Sequence, residues 1–182
     1  MKRIISLILT IFILAGLFSG CMSASEEEKA SSDEILYLNL VWHQHQPLNY
    51  KDDTTDVYTR PWVRVHATKD YYDMAAILEQ YPSLRVTFNL TPVLLRQLQD
   101  FSEGAIDRYW ELSLIPAQSL SSTEKQFILE RFFDANHENM IKPFPRYWEL
   151  LQRRDSIDTR TEAGQAAFSV QDYTDLQVLF NL

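Results

Sequence analysis

The stretch Leu36–Pro47, LYLNLVWHQHQP, constrains this chain most: an apolar run that stops abruptly at two imidazoles, two carboxamides and a proline. Ile35–Trp42 is rich in leucine, β-branched and aromatic residues, which predicts a strand. Only Asn39 interrupts the run, so burial on both faces of an α/β sheet is expected. Pro47 has no N–H to donate to a ladder and closes the strand. In α/β folds ligands bind at the carboxyl ends of parallel strands, so the segment His43–Gln46 is the best candidate site. On a strand, alternate residues share a face, which puts His43 and His45 on one side and Gln44 and Gln46 on the other.

The residues that follow alternate between helical and strand signals. Leu48–Arg60, with Asp52, Asp53 and Asp56, is long for a βα connection, and loops of that length are often functional. Ala67–Gln80 carries Tyr71, Met74, Ala75 and Leu78 at helical spacing and is closed by Tyr81-Pro82. Leu84–Leu90 reads as a second strand. Thr91 then supplies an N-cap and Pro92 the first position of a helix running through Val93–Phe101. This β–α–β–α order predicts parallel strands.

Residues 102–168 contain no convincing strand and read as a helical insertion. Ala105–Leu114 looks helical, Ser121-Ser-Thr-Glu124 is a capping box opening Glu124–Asp134, and Pro145–Arg154 is a further helix. Asp155–Gly164 is polar and expected to be exposed. Ser169-Val-Gln-Asp172 resembles another capping box and favours a helix over Val170–Leu182, with a strand from Leu176 as the alternative. Phe127, Phe132, Phe133, Tyr147 and Trp148 have the spacing of a helical core, and His137 lies in a polar stretch expected to be solvated.

The N-terminus has the pattern of an export signal. Lys2-Arg3 is the basic start, Ile4–Phe18 the apolar stretch, and Ser19-Gly20 the small residues before Cys21. That stretch falls short of the roughly 20 apolar residues of a spanning helix. Leu17-Phe18-Ser19-Gly20-Cys21 resembles a bacterial lipoprotein cleavage box, with Phe18 bulkier than usual; an ordinary signal peptide or an uncleaved anchor are the alternatives. As the single cysteine, Cys21 forms no internal disulfide. Residues 1–20 are thus read as a signal peptide and the polar residues 21–33 as a solvated tether. Residues 34–182 form the globular part, exported and lipid-anchored to the bacterial cell envelope. A net charge of −8 without a basic stripe speaks against a nucleic-acid partner.

An H-x-H pair on one strand face can chelate zinc, but Asp52, Asp53, His66 or Asp70 reaches it as a third ligand only if a loop folds back. Sugar binding asks less. Imidazole and carboxamide both donate and accept hydrogen bonds and suit vicinal hydroxyls. Trp42 or Trp62 offers an aromatic face to a pyranose. His66 and Asn89 are further candidates, their structural alternatives being helix capping and a turn before the Thr91 helix.

His45-Gln46-Pro47, followed in order by Arg60–Met74 (RPWVRVHATKDYYDM), Val86–Pro92 (VTFNLTP) and Asp175–Leu182 (DLQVLFNL), closely resembles the N-terminal portion of glycoside hydrolase family 57. Its members are α-glucan-active amylases, amylopullulanases, branching enzymes and 4-α-glucanotransferases. The resemblance covers roughly residues 35–182. It implies an α/β fold, the N-terminal part of an incomplete (β/α)7-type barrel with a helical insertion. It also implies an α-glucan partner held by His43, His45 and Gln46, and retaining hydrolysis or transfer of α-glucosidic bonds.

In the family the glutamate nucleophile and aspartate acid come from later motifs, which the chain lacks. It is therefore expected to be truncated and inactive alone. A retaining pair needs carboxyl groups about 5–5.5 Å apart, and none of Asp52, Asp53, Asp56, Asp70 and Asp73 follows a strand directly. No catalytic residue, metal ligand or cofactor is assigned within the chain. An inactive glucan-binding lipoprotein and a zinc-dependent carbohydrate enzyme are the alternatives.

Overall fold

The computed structural model describes residues 36–182, so the expected signal peptide, Cys21 and the tether lie outside the described residues. Leu36–Leu38 have no regular structure, and a compact unit spans Asn39–Leu182. Its two strands, β1 (Val41–Gln44) and β2 (Thr87–Leu90), run parallel with Val41 opposite Thr87 and Gln44 opposite Leu90. Between them lie α1 (Trp62–Ala67), α2 (Asp70–Ala76) and a 3₁₀ turn, Ile77–Gln80, so the β–α–β order holds.

Helix α3 (Pro92–Ser102) follows β2 with Thr91 in an extended N-cap conformation and Pro92 at the first position. The remaining elements are helical: α4 (Arg108–Leu114), α5 (Ser122–Arg131), a π-helical turn His137–Ile141, α6 (Pro145–Asp155), α7 (Glu162–Ala166) and α8 (Val170–Leu179). Residues 102–168 thus hold no strand. Both capping boxes form, Ser121 with Glu124 at α5 and Ser169 with Asp172 at α8, so the end of the chain is helical and the strand from Leu176 is excluded. Among the described residues no helix is long and apolar enough to cross a membrane.

Several boundaries differ from the sequence reading. The first strand begins at Val41 and not at Ile35, and instead of being buried on both faces it leaves Leu40, Val41 and His43 exposed. Two strands give each other one ladder, and it is the Gln44 side of β1 that is packed, against Met74 of α2. The expected helix Ala67–Gln80 starts earlier, at Trp62 after Pro61, and breaks at Thr68-Lys69. There the Thr68 hydroxyl donates to the Val65 carbonyl, a local bond that competes with helix continuation. Helix α4 starts only at Arg108 because Ile106 and Tyr58 are paired through their backbones and Asp107 caps the helix. The supposedly exposed Asp155–Gly164 segment ends inside α7, with Gly164 buried.

The core lies in the helical part. Tyr109, Ile128, Leu129, Phe132, Leu150 and Leu176 are among its fully buried members, drawn from α4, α5, α6 and α8. Tyr109 stacks on Phe132 (centroids 5.6 Å, 8° between planes) and on Phe180 (5.0 Å) and meets Phe127 edge-on. Phe133 and Tyr147 are buried beside them and Trp148 packs at the margin. His137 is exposed.

Candidate functional site

The parallel ladder sets His43 directly beside Asn89. Register partners in a parallel pair point to the same face, and the Asn89 Nδ2 donates to His43 Nδ1 at 2.9 Å. With Nδ1 engaged by Asn89, Nε2 is the ring nitrogen that faces away from this bond. His45 lies just past the end of β1, yet its ring stays on the His43 side, the centroids 5.8 Å apart and the planes within 10°. Two imidazoles and one carboxamide are thereby gathered, exposed, at the carboxyl ends of both strands.

The opposite face behaves differently. Gln44 is buried there, its Nε2 against Met74 Sδ of α2 at 4.0 Å. Trp42 shares that face and meets its register partner Phe88 edge-on at 5.2 Å. Alternation therefore carries Trp42 away from the histidines. Gln46 follows His45 and is half-buried. Trp62 leans on Tyr109 (6.5 Å), and His66 pairs with Asp70 and packs near Tyr71 on the surface of α1 and α2. The contacts that join His43, His45 and Asn89 do not extend to Trp62 or His66.

The loop after β1 is ordered by its own hydrogen bonds. Asp52 Oδ1 accepts from the Thr54 and Thr55 N–H groups and from the Thr55 hydroxyl. These bonds, the Thr55 amide first, hold the Asp52 carboxyl below its ordinary range. Asp56 takes a left-handed conformation (φ 57°) and pairs with Lys51. Val57 and Tyr58 turn inward, and the Tyr58 hydroxyl donates to Asp100 at 2.7 Å; burial, then this bond, pushes the phenol well above its usual range. Asp73 pairs with Lys69. Each of these aspartates apart from Asp53 is engaged locally, and among the described residues no group of three or more His, Cys, Asp or Glu side chains is disposed to hold a metal ion.

A model of glycosyl hydrolase family 57 matches residues 39–179. The chain belongs to glycosyl hydrolase family 57. The match takes in the whole of the compact unit apart from its last residues, so the helical insertion is as much part of family 57 as the two strands. Family 57 chemistry is hydrolysis or transfer of glycosidic bonds, with a glucan as substrate. No curated protein and no solved structure matches the chain.

Sequence reasoning missed two groups that the structure brings to prominence. Asp107 is completely buried, caps α4 by accepting the Trp110 N–H at 2.9 Å, and receives Arg64 Nε at 2.5 Å. Gln97, on α3, is buried against the chain that follows His45-Gln46. Aspartate is a residue type favoured at helix N-caps, so that role had a signal; a glutamine inside a helix carries no signal at all.

Proposed function

We propose that this chain forms the sugar-holding wall of an α-glucan-active family 57 catalytic domain. That domain hydrolyses or transfers α-glucosidic bonds in starch- or glycogen-like glucans by retaining double displacement. One observation carries the reading: the exposed cluster of His43, His45 and Asn89 at the carboxyl ends of two parallel strands, inside the family-matched residues. His43 Nε2, His45 and the Asn89 carbonyl present donors and acceptors side by side, a match for neighbouring sugar hydroxyls. Gln46, next in the chain and half-buried, is the further sugar contact of this reading.

The reading leaves the nucleophile and the general acid to other parts of the catalytic domain. The carboxylates near β1 are committed elsewhere: Asp52 to its own turn, Asp70 to His66, Asp73 to Lys69. In this view β1 and β2 are the first strands of a (β/α)7-type barrel, and Cys21 carries a lipid that keeps the protein on the bacterial envelope.

Titration of the chain with maltoheptaose, followed by the His43 and His45 ring signals, tests the reading. His45→Ala should weaken binding about tenfold through one lost hydrogen bond and its desolvated partner, without altering helix content. Ring signals indifferent to the sugar would defeat it, and stoichiometric zinc lost with His45→Ala would favour a metal site instead. The unaltered chain should turn over no α-glucan; turnover would return the catalytic pair to its own aspartates. Expressed in a bacterial host, Cys21→Ser should shift the protein out of the detergent phase.

A further inference from the structure

The turn that carries His45 and Gln46 has to be held, since it lies beyond the last ladder position of β1. We infer that Gln97 is the positioning residue that fixes this turn, an assignment that rests on the glucan reading only for its effect on sugar binding. Gln97 is 1% exposed. Its Oε1 accepts the Asn49 N–H at 2.9 Å, while its Nε2 donates to the Pro47 carbonyl at 3.1 Å and to the Val93 carbonyl of its own helix at 3.2 Å.

A carboxamide paired with the C=O of one residue and the N–H of the residue two further on imitates a neighbouring strand. It supplies the ladder that β1 has lost by this point, from a helix whose start is fixed by β2. The orientation of the amide is forced. Two carbonyls face Nε2 and one N–H faces Oε1, so a rotation by half a turn would set acceptor against acceptor. Leu48, between the two bonded residues, is exposed and contributes little burial. The hold on the turn is therefore polar and comes from α3. Through it, the backbone directly after Gln46 takes one position, and a sugar meets a preformed row of donors and acceptors.

The full chain, with maltoheptaose as the probe, provides the test. Gln97→Met keeps the length and loses the bonds. It should lower the amide-exchange protection of Asn49 and the maltoheptaose affinity by about tenfold each, while the helical core still unfolds cooperatively. Gln97→Glu separates holding from packing. Its buried carboxylate would face two carbonyls, which raises its pKa; protonated, it can donate as glutamine does. Protection of Asn49 and affinity should thus be low near about pH 8 and recover towards about pH 5. If Gln97→Met does not fold, this pH response alone decides the matter.

Unchanged protection in both variants, or a Gln97→Glu protein without pH response, would overturn the assignment. If the unaltered chain fails to bind maltoheptaose, the glucan reading falls while the Asn49 protection still decides the role of Gln97.

Discussion

Asp107 has no exposed surface, yet its carboxyl group serves two partners, the Trp110 N–H and Arg64. It caps α4 and pairs with Arg64, whose guanidinium also stacks over Trp110 at 4.9 Å and donates to Asn181 at 3.2 Å. Asp107→Ala removes the cap and leaves a guanidinium without its carboxylate, so a loss of about 3–5 kcal/mol is expected in chemical denaturation. Asp107→Asn retains the cap and should cost clearly less; equal losses would mean that the charge paired with Arg64, and not the cap, carries the effect. Gly164 is the second sensitive position. A Cβ built there would lie 2.0 Å from the Asp158 carbonyl oxygen, a backbone atom with no freedom to swing away. Gly164→Ala should therefore lower stability by about 1–3 kcal/mol although alanine is the better helix former.

At the scale of elements, α6 and α8 are joined by one carboxylate. Asp172 closes the α8 capping box through the Ser169 N–H at 2.7 Å and hydroxyl at 2.8 Å, and also receives Arg146 and, at 3.0 Å, Arg153. Burial by itself would raise its pKa, but the Ser169 bonds and Arg146 outweigh burial and hold it below the ordinary value. A depressed folded-state pKa stabilises the fold fully above the unfolded value of about 3.9, and that contribution fades as pH falls through the lower folded value. Acid unfolding should thus be shifted to higher pH in Asp172→Asn, with its slope below about pH 4 reduced. An unaltered acid limb would remove Asp172 from the account. Helices α4 and α8 are joined in a comparable way: Gln177 Nε2 donates to the carbonyls of Leu112 and Ile115, each at 2.7 Å, and satisfies the C-terminal end of α4.

At the scale of the whole unit, burial is uneven. The aromatic core around Tyr109 and Phe132 belongs to the helices, whereas Leu40, Val41, Leu84 and Leu90 around the sheet remain exposed. An isolated pair of strands is marginal in water, and regions with few buried contacts open at low free-energy cost. Hydrogen exchange should report two levels of protection. Amides of β1 and β2 should exchange at least about a hundredfold faster than those of Ile128–Phe132, and the exposed strands should promote association at high concentration. Uniform protection throughout the unit would show that the sheet is stabilised independently of any covering layer.

The strands, their parallel order, the Thr91-Pro92 helix start, both capping boxes and the aromatic core were legible in the sequence because each depends on neighbours within a few positions. The same alternation rule placed His43 and His45 on one side of β1. Three outcomes needed the folded chain. Whether the apolar run Ile35–Trp42 was buried depended on what covers it, which no local pattern records. That Asn89, and not Trp42, Trp62 or His66, would meet His43 followed from the ladder register, a relation between residues 46 apart in the chain. The roles of Gln97 and Gln177 were decided by backbone groups brought to them from distant segments, and the ion pair of Asp107 by the side chain of Arg64, 43 residues earlier in the chain. A polar side chain in a helix reads as solvent-facing until tertiary packing gives it a buried carbonyl or N–H to satisfy.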